Sequence, residues 1–258
     1  MNELLTQLQD HVFIITLNRV NKHNAFDDKL IKALQEQLNK AIADNQVRVI
    51  LLKANGPHFS AGADLSWMQR MAQFNEEENL VDALVLARLM KTLYECPKPT
   101  IAAVQGGAFG GGAGLVAACD IAIASTEAKF CFSEVKLGLI PAVISPYVVK
   151  AIGERAAKWL FMSAQPFDAE QAKQLNLIQY CVQDCTLANF ALTYARQIAN
   201  LAPKAVADCK ALIHRVCNRP VTDELIQETA VLIAQKRVSK EGQKGLQAFL
   251  KKEQPQWN

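Results

Sequence analysis

The stretch Pro99-Thr100-Ile101-Ala102-Ala103-Val104-Gln105-Gly106-Gly107-Ala108-Phe109-Gly110-Gly111-Gly112-Ala113-Gly114-Leu115-Val116-Ala117-Ala118-Cys119-Asp120 decides the fold. Thr100 to Val104 is short and apolar, which reads as a strand buried on both faces. The glycines from Gly106 to Gly114 make a bend that leads into a helix at Leu115 to Ala118. Asp120 to Ala124 reads as the next strand. Strand, helix and strand in this order form a βαβ unit, which implies a right-handed crossover and a parallel sheet. Glycine at this density costs backbone entropy. Either a ligand approaches the backbone here, or the helix packs unusually close to the sheet.

Upstream, Val12 to Leu17 and Val47 to Leu52 read as strands. Between them, Asp27 or Asp28 caps a helix that repeats Leu30, Leu34, Leu38 and Ile42 at a spacing of four. Pro57 to Asp64 is a loop of small residues, and Leu65 to Met71 a short helix. Asn79 to Tyr94 is a longer helix, stopped by Pro97-Lys98-Pro99. Downstream, Lys129 to Phe132 is a short strand. From Val143 helical patterns dominate, at 148–152, 154–162, 169–175, 187–200, 204–217 and 223–238. One strand, Ile178 to Val182, interrupts them. The fold class is α/β, with a helical C-terminal region that forms a second lobe or an oligomerisation layer.

The chain has 258 residues, a net charge of +3, 50% hydrophobic and 21% charged residues, an ordinary globular mix that argues against disorder. So small a charge gives no reason to expect a nucleic-acid partner. The cysteine count is seven, odd and without a C-x-x-C pair, so neither a disulfide framework nor a zinc site is expected. The four histidines are scattered and read as packed or surface residues; no metal is expected. The longest apolar stretch, Ala113 to Ala124, is broken by Asp120 and is too short to span a bilayer. The start carries no basic cluster. The expected compartment is the cytoplasm, or a matrix if a transit peptide has been lost.

Three segments carry more small residues than packing requires. His58-Phe59-Ser60-Ala61-Gly62-Ala63-Asp64-Leu65 lies past a buried strand and opens a helix, where amides point outward as donors. The glycine-rich bend is the second. The third is Phe132-Ser133-Glu134-Val135-Lys136-Leu137-Gly138-Leu139-Ile140-Pro141, where burial would push the Glu134 carboxyl toward the neutral range that a general acid or base needs. Taken singly, each has a plain structural use: a tight loop with Asp64 as cap, close helix packing, a capping carboxylate. Taken together, two loops of backbone donors can polarise one carbonyl oxygen while a carboxylate moves a proton beside it, which is the constellation that stabilises an enolate.

On those three segments the chain resembles the crotonase (enoyl-CoA hydratase/isomerase) superfamily along nearly its whole length. The resemblance implies a spiral of ββα units in residues 1–195, and a C-terminal helical region, 196–258, that builds a homotrimer or a dimer of trimers. It implies that the amides of Ala63 and Gly111 form an oxyanion hole for an acyl-CoA thioester, with Glu134 as the catalytic carboxylate. Lys22, Ala25, Ser60, Ala61, Asp64 and Leu65 would bind CoA, and Phe249 and Lys252 would reach a neighbouring subunit's CoA. CoA belongs to the substrate, so no separate cofactor is expected.

Two departures stand out. Relatives with two glutamates carry an acid three residues after the Gly111 position; here it is Gly114. Their Pro-Gly-x-Gly-Gly stretch is replaced by Pro141-Ala142-Val143-Ile144-Ser145. Ala142 keeps an amide where relatives help to hold water. The pattern looks most like a bacterial branch assigned to methylglutaconyl-CoA and carboxygeranoyl-CoA hydratases. The expected activity is reversible hydration of a 2-enoyl-CoA. An isomerase using Glu134 alone and a non-catalytic acyl-CoA binder are the rivals. Gly112-x-Gly114-x-x-Ala117 also fits a loose dinucleotide fingerprint, but too little chain follows it before the next strand. No G-x-S-x-G elbow is present, which argues against an acyl-enzyme hydrolase.

Overall fold

The computed structural model describes residues 2–257. In chain order the elements are β1 (Leu4–Gln9), β2 (Val12–Leu17), α1 (Asp28–Ala43), β3 (Val49–Ala54), α2 (Leu65–Met71), α3 (Glu76–Tyr94), β4 (Thr100–Val104), β5 (Gly107–Phe109), α4 (Gly111–Ala118), β6 (Ile121–Ser125) and β7 (Lys129–Cys131). There follow α5 (Ser145–Ser163), β8 (Phe167–Asp168), α6 (Ala169–Gln174), β9 (Tyr180–Val182), α7 (Asp184–Ala199), α8 (Pro203–Val216), α9 (Asp223–Val238) and α10 (Lys240–Leu250).

Six strands form one sheet in the order β1-β2-β3-β4-β6-β9, and β5, β7 and β8 form a second. All neighbours in the large sheet from β2 to β9 are parallel, as the βαβ reading requires; only β1 runs antiparallel, at the edge. Alternation along the strands explains the burial of both faces. Val12, Ile14, Val49, Leu51, Ile101, Ala103 and Ile123 face Leu187, Ala191, Ala195 and Ala199 of α7. Ile15, Leu17, Ile50, Leu52, Ala102 and Val104 face the larger core with Leu30, Leu34 and Leu38 of α1.

The structure departs from the sequence reading at β1, β5, α4, β8 and α10, and it joins the helices read at 148–152 and 154–162 into α5 across a kink at Gly153. β1 is an exposed edge strand, joined to β2 through Asp10 and His11, both with positive φ, as a two-residue hairpin turn requires. The glycine-rich bend is partly strand: Gly107–Phe109 pairs with β7, and α4 starts at Gly111, earlier than Leu115. β8 is two residues long and pairs with β7. α10 extends the helical region beyond Val238. Among the described residues no helix is long and apolar enough to cross a membrane.

Candidate active site

Residues 60–64 are stitched on both sides by backbone bonds. The N–H of Ser60 donates to the Gly107 carbonyl at 3.0 Å, and the N–H of Phe109 returns to the Ser60 carbonyl at 2.9 Å. On the other side the N–H of Ala61 donates to His23 (3.0 Å), that of Phe26 to Gly62 (2.7 Å) and that of Asp64 to Phe26 (2.7 Å). The Gly62 N–H donates to the Ser60 hydroxyl at 3.2 Å. Every amide from Ser60 to Asp64 therefore has a protein acceptor except Ala63, whose residue is exposed.

The second loop repeats the pattern. The N–H of Gly110 donates to the Cys131 carbonyl and that of Gly114 to Gly110, while Gly111, the first residue of α4, has no acceptor among the described residues. Unpaired donors thus stand on two neighbouring loops: Ala63 on one, and Gly111, with Gly112 and Ala113 after it, at a helix N-terminus where the dipole favours negative charge. Phe26, which the sequence reading passed over, couples the loops: it bridges Ala63, and its ring lies 3.4 Å from where a Gly111 Cβ would be.

Glu134 opens a short 3-10 turn after β7. A Cβ on Gly110 would stand 3.3 Å from its Oε1, so the carboxyl lies against the residue that precedes the free Gly111 amide. Its Oε2 is buried and has no hydrogen-bond partner. Burial pushes the carboxyl above the usual carboxylate range, opposed by a bond from its own N–H. A desolvated carboxyl against the loop that carries the unpaired Gly111 N–H can hold or release a proton next to a carbonyl bound there.

Position 114 is not open space. A Cβ there would lie 2.2 Å from Ile144 Cγ2, 2.8 Å from Ile144 Cβ and 3.3 Å from Met90 Cε. The acid found in two-glutamate relatives has no room in this chain.

The structure separates the expected CoA-binding residues into two groups. Lys22, Ala61 and Leu65 are exposed along one edge, with Leu65 at 75% exposure, and Ala25 is buried just behind them. Ser60 and Asp64 are both buried, and their polar side-chain atoms are engaged within the chain. The Ser60 hydroxyl holds the Gly62 amide. Asp64 caps α2 through the N–H groups of Ser66 and Trp67, and pairs with Arg19 at 3.1 Å. Burial would raise the Asp64 pKa, but the Trp67 amide, Arg19, the Ser66 amide and Lys22 outweigh it and hold the carboxyl low. Ala142 is corrected, because its N–H donates to the Ile140 carbonyl at 2.8 Å and is not free to hold water. Phe249, 79% exposed, lies in the last turn of α10, which packs on α8 and α9, and Lys252 follows that helix.

Arg19 was missed as well. Its guanidinium, 10% exposed, bonds the Ala25 carbonyl and pairs with Glu3, Asp27 and Asp64.

Residues 7–258 match the enoyl-CoA hydratase/isomerase family. A solved structure from Legionella pneumophila, described under enoyl-CoA hydratase/isomerase (crotonase), is 64% identical, covers 100% of both chains and superposes with a TM-score of 0.98. An enoyl-CoA hydratase from Shewanella pealeana is 45% identical over 99% of this chain and 96% of its own, with a TM-score of 0.95. A Thermus thermophilus protein named for enoyl-CoA hydratase is 34% identical over 247 residues, covering 96% of this chain and 97% of its own.

Proposed function

The chain belongs to the enoyl-CoA hydratase/isomerase (crotonase) family, and from that premise we propose that it hydrates a 2-enoyl-CoA reversibly, with Glu134 as its single proton-transferring side chain. The observation that carries this reading is the unpartnered, buried Glu134 carboxyl beside Gly110, next to the free Gly111 amide.

In this mechanism the thioester oxygen accepts hydrogen bonds from the N–H groups of Ala63 and Gly111. Electron density leaves the conjugated double bond, and the β-carbon becomes electrophilic. The two oxygens of Glu134 divide the work. One takes a proton from the attacking water, and the other delivers a proton to the α-carbon on the same face, giving syn addition. The enolate that forms is held by the two amides, each worth about 3–4 kcal/mol in sites of this kind. Lys22, Ala25, Ala61 and Leu65 supply the wall for the CoA moiety. CoA arrives with the substrate, so the reading requires no resident cofactor.

A glutaconyl-type ester is the branched substrate that the sequence pattern suggests. Its carboxylate, placed where the second acid is lost, would lie against the Ile144 methyl group and lose hydration. The uncharged crotonyl-type ester is therefore the first substrate to test. One observation favours a second reading, double-bond isomerisation: Ile144 leaves the site a single carboxylate, and one suffices to shuttle a proton between the α- and γ-carbons.

The experiment offers purified protein crotonyl-CoA and 3-methylglutaconyl-CoA in heavy-oxygen water. Loss of enoyl absorbance with label in the product supports hydration. Conversion without label supports the isomerase, and binding without turnover of either ester overturns both.

A further inference from the structure

We propose that Ile144 sets the reaction specificity of this site, by filling with an alkyl side chain the place on the first turn of α4 from which a second carboxylate would act. The inference rests on the acyl-CoA reading above and deepens it.

Three observations carry it. Gly114 lies three residues after Gly111, on the same turn of α4 that presents the free amide. The Cβ contacts at 2.2 Å and 2.8 Å are to the branch point and methyl group of Ile144, not to the tip of a flexible chain, so no rotation about its outer bond makes room. Ile144 cannot retreat either. It is 2% exposed within the main core that also holds Met90, and its carbonyl accepts the Val148 and Tyr147 amides at the start of α5.

Side-chain volume is thus divided unequally along α4. Around Gly110 it is left free for the Glu134 carboxyl; around Gly114 it is taken by isoleucine. An alkyl group neither orients water by hydrogen bonding nor carries a proton. Water at the β-carbon is directed by Glu134 alone, and the balance between adding water and moving the double bond is set by the pair Gly114 and Ile144. The two positions behave as one unit: an acid can enter at 114 only if the side chain at 144 leaves. Position 144 is the N-cap of α5, where glycine is well tolerated.

The test compares the full-length parent with Gly114→Glu, Ile144→Gly and the double variant. Thermal melting is read without substrate; hydration and isomerisation of a short 2-enoyl-CoA are read in heavy-oxygen water. Gly114→Glu alone is expected to lower Tm by about 5 °C or more through overpacking. The double variant is expected to be more stable than the two single losses combined predict. It should also raise the ratio of hydration to isomerisation about tenfold and add a second acidic limb to the pH–rate profile. A Gly114→Glu protein as stable as the parent, strictly additive losses in the double variant, or an unmoved ratio in an active double variant overturns the proposal. A parent inactive on every enoyl-CoA instead overturns the functional reading, while the melting data still report the packing.

Discussion

Glu134 is a carboxyl whose neutral form is favoured by its surroundings, and that preference has a sign that stability measurements can read. Burial raises its pKa in the folded protein. Its contribution to stability is fully present below the unfolded pKa and is lost as pH rises through the folded value. Glutamine copies the neutral acid, so Glu134→Gln should melt higher than the parent at pH 8, and the gap should close as pH falls toward about 4. Differential scanning fluorimetry across pH checks this; a variant that melts lower at pH 8 contradicts it. The same substitution should reduce turnover by about 10²–10⁴-fold, because no other carboxyl fits on the α4 turn. The backbone donor can be tested too. Gly111 is the first residue of α4, where proline is accepted, and a Cβ there meets Phe26 at an ordinary 3.4 Å. Gly111→Pro removes the N–H with little change in packing. Turnover should fall about 10²–10³-fold while Tm moves by only a few degrees. A full loss of folding would show that the amide is not the main thing removed.

At the scale of elements, the site is held by bonds between segments far apart in sequence. Arg19, after β2, ties the cap of α1 to the cap of α2 by pairing with Asp27 at 2.9 Å and Asp64 at 3.1 Å. Replacing it by methionine removes the counter-charge that two buried carboxylates share and leaves Asp64 only Lys22, at 3.8 Å, which costs about 3 kcal/mol or more. Asp64 has a lowered pKa, so its favourable contribution is present above the unfolded pKa and lost as pH falls through the folded one. Arg19→Met should therefore lose most stability near neutral pH and least below about pH 4, the opposite trend to Glu134. Urea unfolding at two pH values decides it. What was legible in the sequence follows the same division. α1 and α2 were readable because their caps, Asp27 and Asp64, are local, and α1 adds a leucine repeat at a spacing of four. β5 and β8 were not, because Gly107-Ala108-Phe109 lies within a run of glycines and Phe167–Asp168 is only two residues long, and both are strands through their pairing with β7. α10 was obscured by Gly242 and Gly245 inside it. At the site, Glu134, Ala63 and Gly111 carried a pattern. Phe26, Arg19 and Ile144 did not, since their roles depend on what folds against them.

At the scale of the whole molecule, the sheet is covered on both faces, yet the last three helices are not finished on their outer side. Ile213, Val221, Ile226, Val238, Phe249 and Leu250 are all exposed on or beside α8, α9 and α10. Exposed apolar side chains, where they join into one patch, favour contact with another molecule. The helical segment 196–258, expected from the family resemblance to build a trimer, is where we propose that copies of this chain meet. Closed symmetry then predicts a definite mass rather than an open series. Chains of 28.4 kDa should sediment at about 85 kDa as a trimer or about 170 kDa as a dimer of trimers. Replacing Ile213 and Ile226 by glutamate should shift the population toward the monomer while leaving the sheet and the two loops folded, since both side chains are already in solvent in the single chain. Analytical ultracentrifugation with circular dichroism reads both quantities. A parent that sediments as a monomer at micromolar concentration overturns the assembly. A variant that stays trimeric moves the contact to another face. If the monomeric variant also loses affinity for CoA esters while its Tm is kept, Phe249 and Lys252 act across the interface.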